Sequence, residues 1–414
     1  MRIAIIGGGA AGLMCAATAL EAYPDAEVFL IERNDGLGKK VIISGGGRCN
    51  VTTGIRDVRT LLTKYPRGGK FLTRAMHRFS PEAVYAWFEE HGVPLKTQAD
   101  QRVFPRSDDG HDIVRAFETF FQNPRAHLLL NTSCIQVEKQ KDEFVLTLRG
   151  TDEPLRADAL VLTTGGQAYR QTGSTGDGYA FAAALGHTIT PLAPSLNAFY
   201  TSETWPGELS GLSFQNATVS SPRDRRFSFT GPFLFTHKGV SGPAVFALSS
   251  IVAFETYDAR HPLEIRIDLF PERTFDAMRA EIEQYAAEMP NKQFVNVLGM
   301  TVPKSLSEVI IRELGISETK RANQVAKKDI ARAVEWLKGI PLHVVQRGSG
   351  DEFVTAGGVE LSEIDPGTME SKVCPGLFFA GEILNVDGFT GGFNLQASWA
   401  TGRLAGENVG KTHK

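Results

Sequence analysis

The chain of 414 residues lacks long apolar runs, paired cysteines and an excess of positive charge. Runs such as Ala159–Leu162 are far shorter than the roughly 18 residues of a membrane-spanning helix, and no export signal follows Met1. The four cysteines form no CxxC pair, so neither a dithiol redox motif nor a cysteine zinc site is predicted, and no other metal site is predicted. These absences favour a reducing, cytoplasmic setting.

The charges are nearly balanced, with 44 Lys and Arg against 47 Asp and Glu. A chain with a net charge of -3 has no broad positive field, which argues against nucleic acid or an anionic membrane as the main partner. A small-molecule substrate is therefore expected. The sequence leaves the oligomeric state open.

Glycine is the one residue in excess, with 42 positions, or about 10% against a usual value of about 7%. The run Gly7-Gly8-Gly9-Ala10-Ala11-Gly12 fits G-x-G-x-x-G, and it follows a predicted strand at 2–6 and opens a predicted helix at 11–23. Gly7 permits the tight turn, Gly9 lets a pyrophosphate approach the backbone, and Gly12 lets the helix pack on the strand. The phosphates would lie at the positive end of the helix.

Glu32 lies 20 residues beyond Gly12, at the end of a second predicted strand, and Arg33 follows it. A carboxylate at this place accepts hydrogen bonds from a ribose 2′-hydroxyl and repels a 2′-phosphate. The fingerprint with its acid predicts a dinucleotide site, but it does not separate NAD from FAD.

Three further glycine-rich loops favour FAD, because a flavin nucleotide is long and must be covered along its length. The loop at 38–50 offers backbone amides and cations, the loop at 163–166 ends a buried strand, and the loop at 381–394 precedes a late helix. The N-terminus of that helix can stabilise charge on the reduced flavin. With Val137 from a predicted β-meander, the further predicted cofactor-binding residues are Lys39, Lys40, Ser44, Gly46, Arg48, Cys49, Asn50, Thr164, Gly165, Gly166, Gly381, Glu382, Asp387, Gly392, Phe393 and Asn394.

A second dinucleotide fingerprint is missing, because the run 173–178 has its glycines in the wrong order. We therefore expect no dedicated NAD domain, and NAD(P)H would act only as a transient electron donor beside the flavin.

The pattern along the chain predicts an α/β fold with a discontinuous domain. Residues 1–190 and 345–414 form the predicted Rossmann-like FAD-binding domain, residues 191–270 an inserted β domain and residues 271–344 an inserted helical domain.

Four stretches, spread along nearly the whole chain, resemble the BaiN-like NAD(P)/FAD-dependent oxidoreductases, also called aminoacetone oxidase family FAD-binding enzymes. They are the first fingerprint and the runs 44–50, 234–243 and 378–394. The resemblance implies a flavoprotein fold of the two-dinucleotide-binding-domain type with a β-barrel-like plus helical insert. It links the family to reduction of conjugated carbon–carbon double bonds and to amine oxidation.

Three residues are candidates for the chemistry. Arg48 could anchor a substrate carbonyl, although a salt bridge within its loop is an equal alternative. Cys49 could act beside the flavin, since an adjacent arginine would lower its pKa, although simple packing is the alternative. His237 lies in the insert expected to cover the flavin and could transfer a proton, although a histidine with a structural hydrogen bond is the alternative.

The sequence thus predicts an FAD-dependent oxidoreductase that passes a hydride between the flavin and a small organic substrate. Reduction of an activated double bond, fed by NAD(P)H, is the first hypothesis. An oxygen-using oxidase of a small amine such as aminoacetone and a non-catalytic FAD-binding redox sensor or scaffold are the alternatives. An RNA-modifying flavoprotein is disfavoured by the acidic balance.

Overall fold

The computed structural model describes residues 1–348 and 352–411, without the side chains of residues 225 and 226. Residues 349–351 and 412–414, part of the predicted segment 345–414, lie outside this description. The chain divides into two compact units: Met1–Ser195 together with the chain from Glu352 onward, and the residues between them. The boundaries at 190, 270 and 345 stay a prediction.

The strands of the described residues are β1 (Arg2–Ile6), β2 (Glu27–Ile31), β3 (Thr52–Thr53), β4 (Leu95–Thr97), β5 (Arg102–Pro105), β6 (Ala126–Leu129), β7 (Cys134–Gln140), β8 (Glu143–Leu148), β9 (Leu155–Ala157), β10 (Ala159–Leu162), β11 (Ala193–Ser195), β12 (Phe199–Thr201), β13 (Ser213–Ser221), β14 (Asp224–Thr236), β15 (Gly239–Ser241), β16 (Leu263–Asp268), β17 (Ile340–Arg347), β18 (Val354–Ala356) and β19 (Leu377–Phe379).

The α-helices of the same residues are α1 (Ala10–Ala22), α2 (Lys39–Ile43), α3 (Val58–Leu62), α4 (Thr73–Arg78), α5 (Pro81–Glu90), α6 (His111–Arg115), α7 (Asp177–Ala184), α8 (Pro243–Ile251), α9 (Phe275–Glu288), α10 (Phe294–Leu298), α11 (Lys304–Glu313), α12 (Lys327–Lys338) and α13 (Phe393–Asn408). Short 3₁₀ helices cover Glu118–Gln122, Arg170–Thr172, Trp205–Leu209, Ala322–Gln324, Leu361–Glu363 and Gly381–Ile383. No helix in the described part of the chain has both the length and the apolar character needed to cross a membrane.

The first unit is built on a parallel sheet in the order β19-β10-β1-β2-β6. β1 pairs in parallel with β2 on one side and with β10 on the other. Its residues from Ile3 to Ile6 are buried, which explains why the strand is a continuous apolar run instead of an alternating one. The predicted Rossmann-type α/β domain is confirmed. Smaller antiparallel sheets, β3-β5-β4, β7-β8-β9 and β11-β18, complete the unit.

Helices α1 and α13 pack against each other with almost no space between their backbones. A Cβ added at Gly402 would lie 2.4 Å from the carbonyl oxygen of Ala11, and one added at Gly406 would lie 2.7 Å from that of Cys15. From the first contact to the second, the position advances by four residues in both helices. The two helices therefore run in the same direction. Their N-termini therefore point the same way.

The second unit contains a closed barrel in the order β12-β15-β14-β13-β16-β17 and the helices α8 to α12. Its core is separate from that of the first unit and includes apolar residues of both the barrel and the helices. The predicted β-barrel-like insert with a helical part is confirmed. β17, which follows the helices in sequence, closes the barrel by pairing with β16 and β12.

A buried histidine ties the end of α7 to the segment before β19. His187 Nε2 lies 2.7 Å from Ser371 Oγ, and its Nδ1 lies 3.1 Å from Glu363 Oε2. Ser371 Oγ accepts from the backbone N–H groups of Val373 and Cys374, so its own proton is left to donate to Nε2. His187 is thereby held neutral, with its Nδ1 proton directed at Glu363.

This cluster predicts that acid weakens the fold. Burial lowers the pKa of His187. Below about pH 6.5 His187 binds a proton in the unfolded chain more readily than in the folded chain. The free energy of unfolding therefore falls as the pH falls. We expect melting curves between about pH 7 and 5.5 to show this loss, and His187→Gln to show a flatter pH dependence. An exposed control, His261→Gln, should keep the slope of the original protein; equal slopes for all three proteins would refute the assignment.

Candidate functional site

The turn from β1 into α1 has the geometry of a phosphate site. Gly9 is the N-cap of α1, and no side chain caps the helix. A Cβ added at Gly9 would meet no atom within 4 Å, whereas one added at Gly12 would lie 1.9 Å from the carbonyl oxygen of Gly7. Gly12 is therefore required by the fold, and Gly9 leaves open space in front of the first N–H groups of the helix.

Glu32 lies beside this turn and is buried, with 8% of its surface exposed. Its Oε2 accepts a hydrogen bond from the N–H of Gly8 at 2.8 Å, and its Oε1 accepts from the N–H and the side-chain amide of Asn34. The carboxylate thus shapes the turn in addition to any contact with a ribose. Replacing Glu32 with alanine would therefore disturb the turn itself as well as any ribose contact.

The loop after α2 is held in a left-handed backbone conformation that favours glycine. Gly45, Gly46 and Gly47 all have positive φ angles, from 59° to 87°. A Cβ added at Gly46 or Gly47 would meet nothing within 4 Å. These glycines leave a backbone surface that a flat ligand can approach closely. Ser44 Oγ donates to the carbonyl oxygen of Val41 and ends α2.

Cys49 follows this loop, and its predicted low pKa is wrong. Its side chain is buried, and burial raises the pKa of the thiol to about 12, only partly offset by a hydrogen bond with Ser44. The neighbouring Arg48 does not oppose this effect, because its guanidinium group lies 4.1 Å from the centre of the Phe104 ring and 3.7 Å from Asp108 Oδ1. A thiol that stays protonated is a poor nucleophile.

We expect Cys49→Ala to keep its bound flavin and its turnover within about twofold, because a protonated buried thiol contributes packing and no chemistry. Flavin absorbance per protein and steady-state turnover measure the two quantities. A fall of more than about tenfold in turnover with full flavin content would restore a chemical role for the thiol.

Arg48 is partly exposed, and its contacts with Phe104 and Asp108 support the structural alternative named for it. Its role as a substrate anchor stays a prediction. The adjoining Asn50 has a clear structural contact, since its side-chain oxygen accepts from the N–H of Val103 at 3.3 Å.

Several predicted cofactor residues are joined in ion pairs. Lys40 Nζ lies 2.6 Å from Glu382 Oε2, and Glu382 Oε1 accepts from the N–H of Thr355 at 2.9 Å. This pair connects the start of α2 with the segment after β19 and with β18. Lys39 pairs with Asp35 at 2.7 Å, nearer to solvent.

Arg33 contacts the start of α7. Its guanidinium group pairs with Asp177 at the start of α7 and donates to Thr175 Oγ1 at 2.8 Å. These contacts join the end of β2 to α7, and a contact of Arg33 with the cofactor stays a prediction.

The loop before α13 is fixed by buried polar contacts. The carboxylate of Asp387 is fully buried, pairs with Arg67 and accepts from Ser195 Oγ at 3.1 Å. Asn394 accepts from the N–H of Gly388 at 2.8 Å and donates back to its carbonyl oxygen at 2.9 Å. Arg67 and Thr355 are not predicted from the sequence, because only the tertiary fold brings them beside Asp387 and Glu382.

Helix α13 also begins at a glycine without a side-chain cap. Gly392 has a φ of 86°, and a Cβ added there would lie 2.3 Å from the carbonyl oxygen of Thr52. Gly402 lies nine residues after the start of α13. Ala11, which Gly402 contacts, lies one residue after the start of α1. At 1.5 Å per residue, the start of α13 lies about 12 Å ahead of the start of α1 along their shared direction.

Two parallel helix starts offset in this way suit a ligand with two electron-rich ends on an extended linker. FAD has this form, with a pyrophosphate and a flavin ring joined by the ribityl chain. Thr164 Oγ1, just after β10, and the hydroxyl of Tyr179, in α7, are buried without a hydrogen-bond partner among the described residues. Open space at Gly9, Gly46 and Gly47 and these unsatisfied groups fit a long polar ligand such as FAD.

The remaining predicted residues lie in several places. Gly165 and Gly166 follow β10, where an added Cβ would lie 2.7 Å from Ser174 Oγ and 2.4 Å from Thr355 Oγ1 respectively. Val137 is buried in β7. Phe393 opens α13, and its carbonyl oxygen accepts from the hydroxyl of Tyr65 at 2.7 Å.

A cleft of about 1000 Å³ opens in the first unit between α2 and α6. Leu37, Ile42, Ile43 and Val114 line it with apolar surface, and Lys39 lies among its charged lining residues. It could accommodate a flat apolar group beside α2.

His237 lies in the second unit, in the turn between β14 and β15. The side chain is exposed and has no hydrogen-bond or ion-pair partner in the part of the chain that the structure describes. The backbone of the turn is tightly packed: a Cβ added at Gly207 would lie 2.9 Å from the carbonyl oxygen of His237, and one at Gly239 would lie 2.3 Å from that of Phe199. The alternative that His237 makes a structural hydrogen bond is therefore not supported within the described residues.

Comparison with known proteins agrees with this geometry. The family model of the HI0933-like protein Rossmann domain matches residues 1–408. The chain is 29% identical over 408 residues to the 3-dehydro-bile acid delta(4,6)-reductase of Clostridium scindens, covering 98% of both chains. It is 31% identical over 410 residues to the ribosomal RNA dihydrouridine synthase of Haemophilus influenzae, covering 96% of this chain and 95% of that protein.

Among solved structures, the crystal structure of 3-ketosteroid delta1-dehydrogenase from Sterolibacterium denitrificans matches with a TM-score of 0.50. The match covers 98% of each chain at 12% sequence identity. At this level the likeness concerns the fold alone.

Proposed function

The chain belongs to the HI0933-like Rossmann family of FAD-dependent oxidoreductases, and from this premise we propose that it reduces a carbon–carbon double bond conjugated to a carbonyl group. The substrate is a small organic molecule, and NAD(P)H is the source of electrons. The observation that carries the proposal is the 29% identity to a named reductase over nearly the full length of both chains.

When bound, FAD supplies the hydride for this reduction. The first turn of α1 would bind the pyrophosphate and Glu32 the ribose, while the first turn of α13 would stabilise negative charge on the flavin ring. The ion pair of Lys40 with Glu382 would hold the start of α2 in place beside them. His237 would give the proton that the second carbon of the double bond requires.

A second candidate function is reduction of a uracil base in RNA. The observation that favours it is the 31% identity to a ribosomal RNA dihydrouridine synthase. A dihydrouridine differs from uridine by the loss of a double bond conjugated to a carbonyl, so the two candidates share one chemistry and differ in the size and charge of the substrate.

An anaerobic absorbance experiment tests the proposal. NADH or NADPH should bleach the flavin bands of the purified protein, and a conjugated enone or a uridine-containing RNA should restore them over many turnovers. Bands that bleach only with a small amine and return with oxygen would replace the proposal by an amine oxidase. Bleaching followed by no turnover with any acceptor would favour a redox sensor.

A further inference from the structure

One segment of the first unit carries a local excess of positive charge, whereas the whole chain has a net charge of -3. The segment 56–78 contains seven Lys and Arg residues and a single acid, Asp57. Asp57 is the N-cap of α3, where its carboxylate accepts from the N–H and the hydroxyl of Thr60 at 2.8 and 2.6 Å. The one acid is therefore engaged in its own helix. We call 56–78 the basic segment.

Most cations of the basic segment make no salt bridge with another side chain of the described residues. Two of them are paired, Arg67 with Asp387 and Arg78 with Glu407. The other five make no salt bridge and no side-chain hydrogen bond to any residue that the structure describes; they are Arg56, Arg59, Lys64, Lys70 and Arg74. Four of these five, all but Lys64, are exposed. Exposed cations that are not held in salt bridges attract anions.

The cations lie on neighbouring helical turns. A bond from the N–H of Leu72 to the carbonyl oxygen of Gly68 begins the helical turn that continues into α4, so Lys70 and Arg74 are one turn apart on one side. His77, also exposed, continues this side by one more turn. α3, which carries Arg59, contacts α4. The result is a row of cations and not a single pocket.

The basic segment is bonded directly to the loop that leads to α13. The N–H of Phe389 donates to the carbonyl oxygen of Lys64 at 2.9 Å, and the Tyr65 hydroxyl donates to that of Phe393 at 2.7 Å. A Cβ added at Gly68 would lie 2.5 Å from Val386. An anionic partner held on this row would therefore lie beside the loop that positions the start of α13.

We propose that the basic segment binds the phosphate backbone of RNA and so brings a base of the RNA to the flavin site. The inference rests on the second candidate function and adds the surface that this function requires. A row of separated cations suits the regularly spaced charges of a nucleic-acid strand, whereas a dinucleotide such as NADPH would need a compact pocket. Exposed unpaired Arg and Lys side chains are also the usual ligands of phosphate oxygens.

Binding of a fluorescein-labelled, uridine-rich single-stranded RNA to the flavin-loaded protein, followed by fluorescence anisotropy, tests the surface without any turnover. Five phosphate contacts give a slope of log Kd on log salt of about 3.5, or about 100-fold weaker binding between about 50 and 200 mM salt. The triple variant Arg59→Gln/Lys70→Gln/Arg74→Gln should reduce this slope by about 2 and bind at least about tenfold more weakly at the lower salt.

The matched control is Arg260→Gln/Lys327→Gln/Lys328→Gln, which removes three exposed cations of the second unit. The control should bind RNA like the original protein, and both variants should keep their flavin content and melting temperature. Equal RNA affinity of the two triple variants would overturn the inference, as would stronger binding of an acidic polypeptide such as polyglutamate than of RNA. RNA binding that follows the predicted pattern without dihydrouridine formation would support the surface and refute the second candidate function.

Discussion

Gly9→Val is expected to yield a folded protein that has lost its FAD. A Cβ at this position meets no protein atom within 4 Å, and the backbone of Gly9 is extended, so a side chain can branch from it without a Cβ clash or backbone strain. Its methyl groups would fill the space in front of the first turn of α1, where the pyrophosphate must approach the N–H groups. We expect the Kd for FAD to rise by about tenfold to 100-fold, which corresponds to a loss of ~1.4 to 2.7 kcal/mol of binding free energy.

The comparison with Gly12 shows why Gly9 is the informative position. Alanine at Gly12 would place a methyl group 1.9 Å from the carbonyl oxygen of Gly7, so loss of FAD there would report a broken turn. Gly299→Ala is the matched control, because an added Cβ at Gly299 in the second unit lies 3.5 Å from its nearest neighbours, an ordinary contact. Isothermal titration with FAD and melting of the flavin-free proteins measure the two properties. Unchanged FAD affinity in Gly9→Val would refute the assignment of this turn to the cofactor.

The sequence predicted the elements around this turn because their signals are local. The apolar run at β1, the glycines of the fingerprint and the acid at Glu32 stand within one short segment, and the structure places them together. The late helix was also predicted from its own pattern. The parallel packing of α13 on α1 was not, because it depends on Gly402 and Gly406 meeting the backbone of a helix almost 400 positions earlier.

The lowered pKa considered for Cys49 is contradicted for a related reason, and the packing alternative agrees with the structure. The sequence places Arg48 beside the thiol, but neighbours in sequence point apart in the fold: the guanidinium group lies on the Phe104 ring while the thiol is buried. Desolvation then decides the pKa, and it raises the pKa to about 12. The position of Arg48 next to Cys49 in the sequence does not show whether desolvation of the thiol or the nearby positive charge decides the pKa.

Net charge is an average, and it misses how charges are distributed. The total of -3 is compatible with a basic segment that holds seven cations and one acid, because acids elsewhere outweigh it. The expectation that nucleic acid is not a partner stays a prediction, and the binding experiment on the basic segment decides it. Local charge is the relevant quantity for a phosphate backbone, since fields between exposed charges are screened over about 8 to 10 Å at moderate salt.

His237→Gln is expected to retain flavin and stability but to lose about 100-fold or more in the reduction of the double bond. The side chain is exposed and makes no hydrogen bond or ion pair within the described residues, so its replacement leaves no buried group unpaired. The backbone around it is fixed by the close approaches at Gly207 and Gly239. The turn therefore fixes the backbone that carries the imidazole, and the imidazole itself has no structural hydrogen bond to lose.

His261→Gln provides the control, because His261 is an exposed histidine of the same unit. Stopped-flow measurements can separate the two halves of the reaction: bleaching of the flavin by NAD(P)H needs no proton donor for the substrate carbon, whereas its reoxidation by the conjugated substrate does. We therefore expect His237→Gln to bleach at the rate of the original protein and to reoxidise slowly. Slow bleaching would indicate a role in binding the nicotinamide, and unchanged rates in both halves would show that this histidine is only part of the surface.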